Sequence, residues 1–204
     1  MNTPILLIKN NNEQAISDSI LDLADDLILN KALSVNDSLY SFIDIEVYYW
    51  HENHRDEYAK GIEHKRPFGE LEMHQYGIDL SLGNNEQEGM GGILIRGLYD
   101  LNTGERYQKS EVKQVVFNSL HIGENTIMII NRKMLWKKTF QSKRLNLGEH
   151  SNDQGKTKYK DALYRFLAFY PELFRNFKGK EQVIRESNLG EPDKTSLLDY
   201  TLRK

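Results

Sequence analysis

Apolar residues recur at helical spacing across residues 13–33: Ile16, Ile20, Leu23, Ala24, Leu27 and Ile28, with Asp18, Asp22, Asp25 and Asp26 between them. A stripe at i, i+3 and i+4 is what a helix needs to bury one face and wet the other, so this stretch predicts an amphipathic helix. Asn36 and Asp37 mark a turn. The period then changes to two from Leu39 to Trp50, as a β-strand requires, because successive side chains point to opposite faces. Ile43, Ile45, Val47 and Tyr49 share one face; Asp44, Glu46, Tyr48 and Trp50 share the other.

Residues 51–69 are polar, end in Pro67-Phe68-Gly69, and read as a long surface loop; loops of that length are commonly functional or disordered. Residues 70–82 read as a strand with Glu72, His74 and Tyr76 on one face, interrupted at Gly77. Gly89, Gly91 and Gly92 predict a glycine-rich turn into a short buried strand, Ile93 to Leu98, that contains Arg96. Val112 to Leu120 and Thr126 to Ile130 read as further strands. Residues 157–177 read as a helix that Pro171 kinks or splits. From about Glu181 the chain is polar and reads as a flexible C-terminal tail.

Composition narrows the class. The 204 residues suffice for one well-buried core, and 39% hydrophobic with 28% charged residues fits a folded mixture of helix and strand in a single domain. The longest apolar stretch is about five residues, Thr126 to Ile130, well short of a membrane span. The N-terminus lacks the basic start and cleavage site of an export signal. Zero cysteines exclude disulfides and thiolate metal sites and fit a reducing compartment, so the expectation is a soluble cytoplasmic monomer with no membrane association. The net charge of −3 conceals an asymmetry. Residues 1–100 hold 7 Lys and Arg against 18 Asp and Glu, net −11; residues 101–204 hold 20 against 12, net +8. Either the basic half holds a polyanion, or the two halves pair with each other.

Three features could carry chemistry. Glu46 lies in a strand beside Tyr48, Tyr49 and Trp50, and Arg96 lies within an otherwise apolar strand. A charge in such a place is costly unless it is paired or reaches a cleft, so the two are expected to meet as a structural ion pair or as a site. His51, His54, His64 and His74, with Asp56 and Asp79 nearby, allow a metal-dependent hydrolase as one alternative, although His51-x-x-His54 is not the helical zinc-hydrolase pattern; solvated surface histidines are the plain reading. The run Arg132, Lys133, Trp136, Lys137, Lys138, Phe140, Lys143 and Arg144 mixes cations with aromatic rings. That mixture suits phosphate contacts and base stacking, or simply a sheet edge kept soluble by charge.

The order of several short words resembles the alkyladenine (3-methyladenine) DNA glycosylase family over roughly residues 13–100. They are the helix ending Leu21-Asp22-Leu23-Ala24-Asp25-Asp26-Leu27-Ile28, the strand with Glu46-Val47-Tyr48, then His74-Gln75-Tyr76-Gly77, and Gly92-Ile93-Leu94-Ile95-Arg96-Gly97-Leu98. The resemblance implies an α+β domain with a curved, mainly antiparallel sheet flanked by helices. It also implies release of damaged purines from duplex DNA by water attack on the N-glycosidic bond after base flipping. Glu46 would be the general base and Arg96 its electrostatic partner. Tyr48 would stack on the extruded base, with His74 and Tyr76 or Trp50 near its other side, and no cofactor or metal would be needed. Phosphates would be held by Arg132, Lys133, Lys137, Lys138, Lys143 and Arg144. Departures from the pattern are a shorter interval between the Glu-Val-Tyr and Tyr-Gly words, Gly97 and Val47 in place of alanines, with Val47 expected to add bulk beside the pocket, and a poorly matching C-terminal half. They leave open a second alternative, a non-catalytic nucleic-acid-binding or interaction domain on the same fold.

Overall fold

The computed structural model describes residues 7–9, 11–59, 67–75, 77–85, 89–145, 147, 158–175, 177 and 179–199. The first helix, α1 (Glu13–Asn30), forms as its periodicity predicts. Asn12 caps it by accepting the Ala15 N–H at 2.9 Å, and Ile16, Ile20, Leu23, Ala24, Leu27 and Ile28 are all buried. Each of the larger side chains contributes roughly 1.5–3 kcal/mol by leaving water. The helix passes directly into β1 (Lys31–Val35), which turns through Asn36 and Asp37 into β2 (Ser38–His51).

The long strand β2 organises the molecule. Along one edge it pairs antiparallel with β6 (Gly89–Asp100), from Tyr40 opposite Asp100 to Trp50 opposite Met90. Its other edge is shared in sequence by β1, by β10 (Arg165–Ala168) and by β3 (His54–Arg55). A bulge between Phe42 and Ile45 lies where the partner changes from β1 to β10. Bulges bend a strand and increase its twist, and the sheet is strongly curled. Outside β6 lie β5 (Gly77–Asn85) and β4 (Leu71–His74); beyond β1 lies β8 (Ile127–Asn131); β7 (Arg106–Gln108) pairs with β6, and β9 (Thr139–Ser142) with β10. Ile45, Val47, Ile93 and Ile95 belong to one continuous core that also takes in the buried face of α1. The architecture is thus α+β with a curled antiparallel sheet, as expected. Among the described residues no helix is long and apolar enough to cross a membrane.

Several expected elements change. Val112 to Leu120 is not a strand but lies largely in α2 (Ser110–Asn118), whose buried side chains Val112 and Val116 stand four apart, one helical turn. The β-branched run gave a strand signal that the helical spacing overrode. Residues 157–177 do not form one helix: among the described ones only 158–160 and the turn at Pro171 are helical. Their centre is β10, whose four residues are all buried, and a strand with no wet face shows no period. Pro171 instead opens a single 3₁₀ turn, Pro171–Phe174. The polar tail forms two helices, α3 (Lys180–Arg185) and α4 (Glu191–Asp199), which bury Val183, Ile184 and Leu197. The loop after Trp50 begins as a tight hairpin with His54, Asp56 and Ala59 buried, and residues 60–66 lie outside the described residues.

The glycines at 89, 91 and 92 sit inside β6 rather than in a turn. Gly91 has φ +155° and its α-carbon presses against the β2 backbone; a Cβ there would fall 2.0 Å from the Tyr48 carbonyl oxygen. Gly97 lies opposite the bulge, where a Cβ would meet Asp44 Cβ at 2.9 Å, so the alanine of the family pattern does not fit here. Val47 points into the core, on the face opposite Glu46 and Tyr48, and adds no bulk to a pocket.

Candidate functional site

The face of β2 that carries Asp44, Glu46 and Tyr48 is the chemically unusual one. Glu46 stands directly opposite Leu94 on β6 and opposite Arg165 on β10. Arg96, two residues beyond Leu94, is therefore its diagonal neighbour on the same face, close enough for long side chains to touch. They do: Arg96 Nη1 lies 3.3 Å from Glu46 Oε2. The same oxygen accepts the Tyr48 hydroxyl at 2.8 Å, and Glu46 Oε1 accepts the Leu145 backbone N–H at 3.0 Å with Arg165 Nε at 4.0 Å. Glu46 is fully buried, whereas the Arg96 side chain keeps 13% of its surface exposed.

Two further ion pairs flank this one. Arg165 forks onto Asp44, with Nε and Nη2 donating at 2.9 and 2.6 Å. Arg144 forks onto Asp56 at 2.6 and 3.2 Å and also donates to the carbonyls of Val47 and Tyr159. The buried set of three carboxylates and three guanidiniums is neutral overall, which is what makes so many charges tolerable away from water. Arg144 also covers one face of the Tyr48 ring, 4.6 Å from its centroid. Burial, reinforced by the adjacent Glu46 charge, drives the Tyr48 phenol far above its ordinary range, so it stays protonated and donates to that carboxylate.

Above this floor opens a cleft of about 560 Å³, lined by Tyr48, Leu94, Arg96, Leu145 and Leu147 from the sheet side and its flanking segment, and by Lys109 and Lys113 from the α2 side. The volume falls within the roughly 300–1,000 Å³ of ordinary small-ligand sites. Among the described residues that line it, none is acidic. A second hollow of about 380 Å³ adjoins it through Arg96, Lys109, Leu145 and Leu147, and is walled further by Lys143, Lys160, Asp161 and Glu186.

The other expected site residues are placed less favourably. His74 Nε2 pairs with Asp79 at 3.3 Å and does not line the cleft, although its neighbours Gln75 and Gly77 do. Tyr76 lies outside the described residues. Trp50 contacts Glu57 through its indole N–H and is absent from the cleft wall. Arg144, expected to grip phosphate, is buried and committed to Asp56, and it borders the second hollow rather than the cleft. Trp136 and Phe140, expected to stack on bases, are core residues. The run from Arg132 to Trp136 instead closes the end of α1: Trp136 Nε1, the Met134 N–H and the Arg132 N–H donate to the carbonyls of Ile28, Leu29 and Asn30. Those are the last-turn carbonyls that a helix leaves without partners. Arg132, Lys133 and Lys137 remain exposed but do not line the cleft; Lys138 pairs with Asp193 and lies over the Phe169 ring, and Lys143 pairs with Asp161 at 2.6 Å.

The histidines disperse. His51 Nδ1 accepts the Asn53 N–H, and His54 is packed among Tyr49, Tyr159 and Tyr164. No three ligating groups converge among the described residues, and His64 is not one of them. Part of the charge asymmetry is also internal, because Asp44, Asp56 and Glu13 of the acidic half pair with Arg165, Arg144 and Lys158 of the basic half.

Sequence reasoning found Glu46, Tyr48 and Arg96 and missed Arg165, Lys109, Lys113 and Leu145. Arg165 carried a signal, a lone arginine entering an apolar run, of the same kind that singled out Arg96. Compared with known protein families, curated proteins and solved structures, the chain shows no match.

Proposed function

We propose that the protein is a nucleic-acid-directed hydrolase of the DNA glycosylase type, which takes one extruded purine nucleotide into the cleft over Tyr48 and hydrolyses its N-glycosidic bond. The observation that carries this reading is the convergence of Glu46 and Arg96, from two separate strands, beneath an acid-free cleft with an aromatic wall. The order of words shared with the alkyladenine DNA glycosylases supports the same reading.

In this scheme the bond between the sugar's anomeric carbon and the purine nitrogen breaks as the sugar gains oxocarbenium character. A water oxygen bonds to that carbon and its proton passes to Glu46, while the purine, positively charged because it is alkylated, takes the bonding electrons and departs as a neutral base. The Tyr48 ring, backed on one face by Arg144, offers its other side to the base. Arg96 holds the Glu46 carboxylate in place. Positioned general-base help of this sort is worth about 10²–10⁴-fold. Oε1 accepts the Leu145 N–H, and the attacking water takes a remaining acceptor position on that oxygen or replaces that N–H.

A second reading, a non-catalytic nucleic-acid-binding domain, is favoured by the complete burial of Glu46 with both oxygens satisfied. One experiment separates them. The chain is incubated with methylated duplex DNA, and released 3-methyladenine and 7-methylguanine are quantified by mass spectrometry alongside a binding isotherm on the same duplex. Base release supports hydrolysis; saturable binding without release supports the second reading; neither release nor binding refutes both.

A further inference from the structure

None of the cations expected to hold phosphate lines the cleft itself, although Lys143 and Arg144 border the adjoining hollow, while two lysines that belong to no basic run line the cleft. Lys109 and Lys113 both line the larger hollow on the side opposite Tyr48, and Lys109 lines the smaller one as well. Lys113 Nζ donates to the carbonyls of His74 and Gln75 at 3.3 Å each, which fixes its position, and among the described residues no carboxylate pairs with it. Lys109 is exposed, and among the described residues no carboxylate pairs with it. Its backbone is also held at φ +55°, ψ −123°, a conformation that a residue with a Cβ rarely adopts, and its N–H donates to the Arg96 carbonyl at 2.9 Å. The lysine is thereby locked to the strand that carries Arg96. Glu111, in the first turn of α2, accepts the Gln108 N–H at 3.0 Å, and the positive charge at this rim comes from the lysine side chains.

Two lysines with no carboxylate partner, beside an Arg96 already paired with Glu46, face a cleft whose described lining holds no acid; they leave positive charge that a multivalent anion would neutralise, and the apolar and aromatic residues that also line it suit a base or sugar. We infer that Lys109 and Lys113, together with Arg96, form a phosphate-binding site, so that the ligand of this cleft is a nucleotide phosphate with its base directed toward Tyr48. This rests on the nucleotide-binding part of the function proposed above but not on hydrolysis, and it moves the phosphate grip from residues 132–144 to α2. The phosphate could belong to a polynucleotide or to a free nucleotide.

The test uses the full chain with two probes, a fluorescein-labelled duplex oligodeoxynucleotide carrying one unpaired adenine and adenosine 5′-monophosphate, each titrated over a range of salt concentrations. One lost phosphate contact removes about 0.9 from the slope of log K against log salt, which is about eightfold in affinity at 0.1 M salt. Lys109→Gln, an exposed change, should weaken the duplex by that factor and flatten the slope by about one unit. Lys113→Arg should bind as the parent does, and Arg132→Gln should leave both probes unaffected. Lysine-dependent binding of the monophosphate but not the duplex upholds the phosphate site and sinks the nucleic-acid reading. Base release by a Lys109→Gln variant whose affinities and slopes equal the parent's would overturn the phosphate site and leave hydrolysis standing. Binding of neither probe by the parent chain also overturns it.

Discussion

Replacing Glu46 by Gln tests the buried network directly, because the side chain keeps its size and loses its charge. In the parent chain the carboxylate accepts the Tyr48 hydroxyl, Arg96 and the Leu145 N–H, with Arg165 at 4.0 Å. An amide turns one acceptor into a donor, so at least one of those donors must face an N–H. Arg96 also loses the carboxylate that compensates it, whereas Arg165 keeps Asp44. Removing one partner of a buried pair costs about 3–5 kcal/mol. The partial exposure of Arg96 and the continued pairing of Arg165 place this case at the lower end, about 3 kcal/mol. For a chain of this size that is roughly 6–12 °C in Tm. Equilibrium urea unfolding should show a lower midpoint at unchanged slope. The double variant Glu46→Gln/Arg96→Met should recover part of the loss, with a coupling energy of about 1–3 kcal/mol. A single-variant loss below about 1 kcal/mol would refute the reasoning, since the charge would then contribute nothing net. If Glu46 is also the base, base release falls by orders of magnitude in protein that circular dichroism shows to be folded.

Other outcomes are equally definite. His54 is buried among tyrosines with neither ring nitrogen hydrogen-bonded, and burial, aided by Arg144 and opposed by Glu13, pushes its pKa from 6.5 down to about 4. Between those values the unfolded chain binds the extra proton, so stability rises with pH through this window and is lost as pH falls, by on the order of 3 kcal/mol in all. His54→Phe should flatten that part of a urea-midpoint-against-pH curve; an unchanged curve would contradict the assignment. Asp56→Asn leaves Arg144 charged and half-partnered at zero exposure, and should lower stability by about 3–5 kcal/mol in thermal melts. Gly97→Ala should cost about 1–3 kcal/mol, since a Cβ would press on Asp44 and Ile43 at the bulge, and crystallography of the variant should show β2 displaced there.

What the chain itself determined was whatever depends on local period and local cost. The stripe of α1 was legible because that helix has one wet and one dry face, and the alternation of β2 because one face packs the apolar core while the other carries the buried charges. Glu46 and Arg96 stood out because a charge in an apolar strand is too costly to lack a partner, which required a partner for each without fixing which one. β10, buried along its whole length, left no such trace and read as a helix, whereas α2 is amphipathic but carried a β-branched run that read as a strand. The basic run from Arg132 was misjudged for a related reason, since nothing in composition distinguishes lysines and tryptophan on a ligand surface from the same residues closing a helix end. Only the pairing of β2 with β6 on one side and with β1, β10 and β3 on the other decided which charges meet. That pairing brings Arg165 beside Glu46 and sets Lys109 across the hollow from Tyr48, contacts between residues far apart in sequence that no local preference specifies.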